Sequence, residues 1–129
     1  MPHFTIEYSA NLDGRVDMKG LCDAIRDAAL ESGVFEVGAV RVRAVRCDAY
    51  AIADNLPENS FVDLSLRMAA GRPLGVRKKL GEAVMAVMES RLASLFETPH
   101  FALSFEIRDI DPDLSWKKNA IHPRLRGRK

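Results

Sequence analysis

A strand–helix–strand rhythm, sounded twice, constrains this chain more than any other feature of its sequence. Phe4, Ile6 and Tyr8 alternate with His3, Thr5 and Glu7, a period of two that puts one apolar face on a strand starting almost at the first residue. After a turn-like stretch at 11–14, Asp17 is placed to cap a helix whose apolar side collects Leu21, Ile25, Ala28 and Ala29, with Gly33 as its stop. Residues 40–43 then alternate strictly and predict a second strand, whose polar face carries guanidinium groups that need anions or water.

The pattern restarts at Ser60. Val62, Leu64, Leu66 and Met68 alternate with Asp63, Ser65 and Arg67, and Gly71-Arg72-Pro73 turns the chain into a long helix with Pro73 in its first turn. Leu80, Val84, Val87, Met88, Leu92, Leu95 and Phe96 recur at helical spacing, and the helix must stop before Thr98, the residue ahead of Pro99. In a fourth strand Phe101, Leu103, Phe105 and Ile107 face one way and Ala102, Ser104, Glu106 and Arg108 the other.

This order predicts an α/β (α+β) fold of duplicated β-α-β units. A four-stranded mixed sheet carries two helices on one face, with right-handed crossovers. The pseudo-repeats cover about 1–58 and 59–111, a polar tail covers 112–129, and all of 1–129 forms one domain, as suits a chain of 129 residues. The second sheet face is left bare. A sheet face of this size with alternating apolar residues would be an exposed patch on a monomer, so burial against identical copies is expected, most simply in a closed ring.

Composition narrows the partners. Lys and Arg number 19 against 18 Asp and Glu, a net charge of +1, which lacks the basic footprint of a nucleic-acid or membrane-surface binder. No apolar run is long enough to cross a bilayer, and the first residues lack a signal-peptide pattern, so a soluble, cytoplasmic chain is expected. Cys22 and Cys47 then read as free thiols. His3, His100 and His122 are too scattered for a metal signature, so no metal is expected, and Gly71 and Gly75 are too few for a phosphate loop.

Pro2 is the first candidate for chemistry. Removal of Met1 before so small a second residue leaves a free secondary amine. An α-amino group titrates near 7.7–8.0, and burial beside cations pushes it toward working pH, where acid–base transfer is efficient. Arg41, on the polar face of the second strand, and Arg72, in the turn before the second helix, present planar forks suited to carboxylates. Taken singly, Pro2 is equally an ordinary second residue and each arginine an ordinary surface charge. Arg43 and Arg46 read as surface charges. His3 follows the candidate base and could tune it, and Trp116 could wall an aromatic-sized substrate or pack on a neighbouring subunit. Arg124, Arg126, Arg128 and Lys129 read as a mobile, solvated end.

Pro2-His3-Phe4, Gly38-Ala39-Val40-Arg41, Ala70-Gly71-Arg72 and Leu103-Ser104-Phe105-Glu106-Ile107 resemble the 5-carboxymethyl-2-hydroxymuconate isomerases of the tautomerase superfamily. The resemblance runs nearly end to end and extends to Trp116, Lys117, Asn119 and His122 in the tail. It implies a tautomerase-like subunit, a homotrimer, and an isomerase without cofactors. Its implied substrate is an anionic dienol with several carboxylates, met in bacterial homoprotocatechuate (4-hydroxyphenylacetate) degradation. Carried over residue by residue, it puts the catalytic proline at Pro2 and carboxylate-binding arginines at Arg41 and Arg72. Two other readings stay open. The same scaffold supports hydratase or dehalogenase chemistry on unsaturated acids, and a ring-forming protein need not be catalytic at all.

Overall fold

The computed structural model describes residues 1–127. Four strands follow the alternating segments: β1 (His3–Ser9), β2 (Arg41–Cys47), β3 (Ser60–Ala69) and β4 (Phe101–Ile110). Two long helices connect them in pairs, α1 (Met18–Glu31) and α2 (Leu74–Arg91), and a short α3 (Ile121–Arg126) lies near the end. The sheet order is β2-β1-β3-β4, with β1/β2 and β3/β4 parallel and β1/β3 antiparallel. Each parallel pair is bridged by one long helix, as a parallel connection requires.

Register explains which side chains meet. Phe4 and Ile6 pair with Leu66 and Leu64, and all four are fully buried with Val62 and Met68 beneath the helices. From above, α1 contributes Leu21, Ile25 and Ala29, and α2 contributes Leu80, Val84 and Met88. Asp17 caps α1 by accepting the Gly20 N–H at 3.0 Å, and Gly33 follows the helix with φ +72°. On β4 the inward residues Phe101, Leu103, Phe105 and Ile107 are only half-buried, since this is an edge strand. Gly81 lets α2 approach there: a Cβ at that position would stand 3.3 Å from Ile107 Cδ1.

Four expectations need correction. Pro73 occupies the cap position just before α2 instead of its first turn. The α-helix ends at Arg91, and Ala93–Glu97 continues as 3-10 helix. A tighter turn shifts the phase of later side chains, so Phe96 is 49% exposed against an edge-on Phe101 ring at 5.0 Å, while Leu95 stays buried. The bare sheet face is not apolar. Odd residues of β1 to β3 and even residues of β4 point there, and these are chiefly His3, Thr5, Glu7, Arg41, Arg43, Asp63, Ser65, Arg67, Glu106 and Arg108. Water can cover such a face, and an argument for assembly from exposed apolar surface fails.

The tail, finally, is docked. Asn119 donates to the Gly38 carbonyl at 2.9 Å and accepts from the Ile121 and His122 amides, which starts α3. Arg126 grips Glu36 with two hydrogen bonds, of 2.5 and 2.6 Å. Arg124 and Arg126 therefore belong to an ordered helix; Arg128 and Lys129 lie outside the described residues.

Candidate active site

The chain start lies inside the molecule because β1 is a central strand flanked by β2 and β3. Pro2 is buried, and its carbonyl accepts the Arg41 N–H at 3.4 Å where the β1/β2 ladder begins. With Met1, Phe35, Glu36, Ala39, Ala69, Arg72, Lys117 and His122 it lines a cavity of about 180 Å³.

Arg72 reaches this cavity from the turn after β3. Gly71, just before it, takes φ +100°, a left-handed conformation that favours glycine. The Arg72 guanidinium carbon stands 5.6 Å from the centre of the Phe35 ring, which itself packs edge-on to Phe4 at 6.2 Å. Its Nε is buried without a hydrogen-bond partner, and no carboxylate pairs with it among the described residues. A half-buried guanidinium with spare donors is suited to an incoming anion.

A second cavity, of about 470 Å³, shares Met1 and Lys117 with the first. His3, Arg67, Ile110, Leu114 and Trp116 lie in its wall, and Trp116 is 85% exposed at the rim. His3 Nδ1 stands 3.3 Å from Arg43 Nη1. Burial lowers the His3 pKa, and the charges of Arg67, Arg43 and Arg41 push it the same way.

Electrostatics at the chain start follow the same pattern. The terminal amine, on Met1 here, has its pKa lowered from 8.0 first by burial, then by the charge and hydrogen bond of Lys117, then by Arg41 and Arg72. Pro2 and Arg72 thus share one cavity, and His3 and Trp116 share the adjoining one. Arg41 stands apart: its Nη1 donates to the Ala39 carbonyl at 2.8 Å, and its side chain lines an open hollow beside Lys19 and Asp23 at the β2 edge. Its charge reaches the amine, but its fork does not line either cavity.

Two cations at the site escaped the reading of the residues. Lys117 carried meaning only as part of the tail's resemblance, and Arg67 only as the polar half of an alternating strand. His122 has a structural place: it lies against Gly38, and its Nδ1 is 3.3 Å from Glu36 Oε2 without hydrogen-bond geometry. Among the described residues no group of three or more His, Cys, Asp or Glu is placed to hold a metal ion.

A four-stranded mixed sheet with both long helices on one face, and a first strand that opens into a cation-lined cavity, defines a tautomerase-superfamily fold. The same fold appears in a solved fused 4-OT described as a symmetric trimer, with a TM-score of 0.60 at 17% identity over 84% of this chain and 85% of that chain. The assignment narrows on sequence: residues 2–125 match the 5-carboxymethyl-2-hydroxymuconate isomerase family, and the chain belongs to it. It is 33% identical over 122 residues to the 5-carboxymethyl-2-hydroxymuconate Delta-isomerase of Escherichia coli, covering 95% of this chain and 97% of that protein. It is also similar to a solved 5-carboxymethyl-2-hydroxymuconate isomerase from Deinococcus radiodurans R1, with a TM-score of 0.90 at 37% identity over 96% of this chain and 93% of that chain.

Proposed function

We propose that this protein is a cofactor-independent isomerase that converts 5-carboxymethyl-2-hydroxymuconate from dienol to unsaturated ketone, with the Pro2 nitrogen as the proton carrier. One observation carries this reading: the chain's amine is held in a partly buried, cation-lined cavity where its pKa falls below 8.0. Removal of Met1 moves that amine onto Pro2, one residue deeper and already buried. The neutral amine takes the proton from the 2-hydroxyl. The oxygen then keeps its electrons as a carbonyl, the double bonds shift along the conjugated chain, and the ammonium returns the proton to the far carbon. Atoms and charge balance without a further reactant.

Arg72 holds one anionic end of the substrate and damps the charge that builds on the dienolate. Burial first, and then the like charge of Lys117, lower the amine's pKa and so favour its neutral form. Arg41 holds a second carboxylate, and in its observed position this needs either rotation away from Ala39 or a cavity completed by another copy. A homotrimer fits that need: β2 and β4 are open edges, and a relative of the same fold is described as a trimer. A cytoplasmic location is in line with two unpaired cysteines and with no helix long and apolar enough to cross a membrane among the described residues.

The test follows dienol absorbance with protein of verified intact mass. Preparations that lack Met1 should turn over, whereas protein with Met1 retained presents an amide nitrogen and should lose about 10²–10⁴-fold. Pro2→Ala, which keeps an amine but not the ring, should be slower than wild type. Full turnover with Met1 still attached would remove Pro2 from the mechanism.

A further inference from the structure

We propose that Arg67, with His3 and Trp116, forms the subsite for the carboxymethyl arm of the substrate, and so sets the enzyme's preference for a three-carboxylate dienol. The inference rests on the isomerase reading, because the substrate's chemistry follows from it. A muconate carries two carboxylates and the carboxymethyl group a third, while Arg72 and Arg41 account for two.

Cavity size points the same way. At about 180 Å³, the space beside Pro2 is smaller than the 300–1,000 Å³ usual for ligand pockets. A substrate whose reacting end meets Pro2 must therefore extend into the adjoining 470 Å³ cavity. Met1 lines both, so its removal frees the amine and takes one side chain out of each lining.

Arg67 stands in that cavity's wall together with Lys117, which also lines the smaller cavity beside the amine. Arg67 sits on the central strand β3, in register with His3 on one side and Arg108 on the other. Arg108 is already bonded to Glu106 at 2.8 Å, whereas Arg67 has no carboxylate within ion-pair distance among the described residues. A planar fork on a rigid strand offers two parallel N–H donors to a carboxylate. His3 adds a third donor: with Nδ1 facing the Arg43 N–H as acceptor, its proton resides on Nε2. Trp116 supplies an aromatic edge at the cavity mouth for the methylene of the arm.

The experiment compares kcat/KM for 5-carboxymethyl-2-hydroxymuconate with that for 2-hydroxymuconate, the same dienol without the arm. Arg67→Gln should reduce the preference for the three-carboxylate substrate by about 10–100-fold, mainly through KM, as expected for one charge-assisted pair. Arg67→Lys, which keeps charge without the fork, should restore part of it. Arg72→Gln should lower both substrates together and leave the ratio in place. An unchanged ratio in Arg67→Gln, with its melting temperature intact, overturns the subsite. If the wild-type enzyme, freed of Met1, turns over neither dienol, the isomerase reading fails and the subsite with it.

Discussion

Gly38→Ala tests how the tail builds the site. A Cβ added at Gly38 would lie 2.7 Å from His122 Nδ1 and 3.3 Å from both the Cα and N of His122. Gly38 is not among the positive-φ glycines, so the change probes space and not backbone strain. Two responses compete. If the tail stays, overpacking against a half-buried imidazole and its backbone costs about 1–3 kcal/mol. If it lifts, the half-buried Asn119–Gly38 hydrogen bond is lost, about 1 kcal/mol, and the pairing of Arg126 with Glu36 goes with it. The cheaper route wins, so destabilisation of about 1–2 kcal/mol is expected, a fall in Tm of roughly 3–8 °C. Lys117, two residues before Asn119, leaves the amine at the same time, so isomerase activity should fall with it. Thermal melting gives the stability, and anisotropy of Trp116, the single tryptophan, reports tail motion. A double-mutant cycle with His122→Ala, which removes the 2.7 Å contact, should show coupling of about 0.5 kcal/mol or more. Gly75→Ala is the control: nothing lies within 4 Å of its added Cβ inside α2, so it should stabilise by roughly 0.4–1 kcal/mol. A Gly38→Ala protein with wild-type melting and anisotropy, or a strictly additive cycle, would refute this account of the docked tail.

Two further predictions follow from named contacts. Glu36 has its pKa lowered below 4.5, first by its hydrogen bond from Arg126, so its stabilising effect is present above 4.5 and is lost as pH falls through the lower folded value. Trp116 anisotropy should therefore drop reversibly on acidification through that range, and Glu36→Gln should show the released signal already at neutral pH; a flat profile counts against the Glu36 clamp. Asp17→Ala removes the acceptor for the Gly20 amide and should cost about 1 kcal/mol in chemical denaturation, with Asp17→Asn recovering most of it.

Much of the architecture is readable from short-range pattern. Alternation in β1, β3 and β4 and the three- and four-residue spacing in α1 reach the right core because burial of one strand face or helix stripe is a local periodicity. Phe96 shows where that logic stops, since a change from α to 3-10 geometry alters phase without an apolar signal. Residue type and motif point to Pro2, His3 and Arg72, and the family resemblance singles them out among the other charged and polar residues.

Placement of the remaining site residues needed the folded chain. Arg67 meets His3 only through the β1/β3 register, Asn119 reaches Gly38 across 81 residues, and Arg126 reaches Glu36 across 90. Such contacts depend on which strands become neighbours, which no local window encodes. The sequence by itself determined the four strands, the two long helices and a proline beside the start of the chain. Tertiary structure alone decided that the tail docks on the turn at Gly38 and that the cations gather around one amine, because each of these depends on where distant segments come to rest.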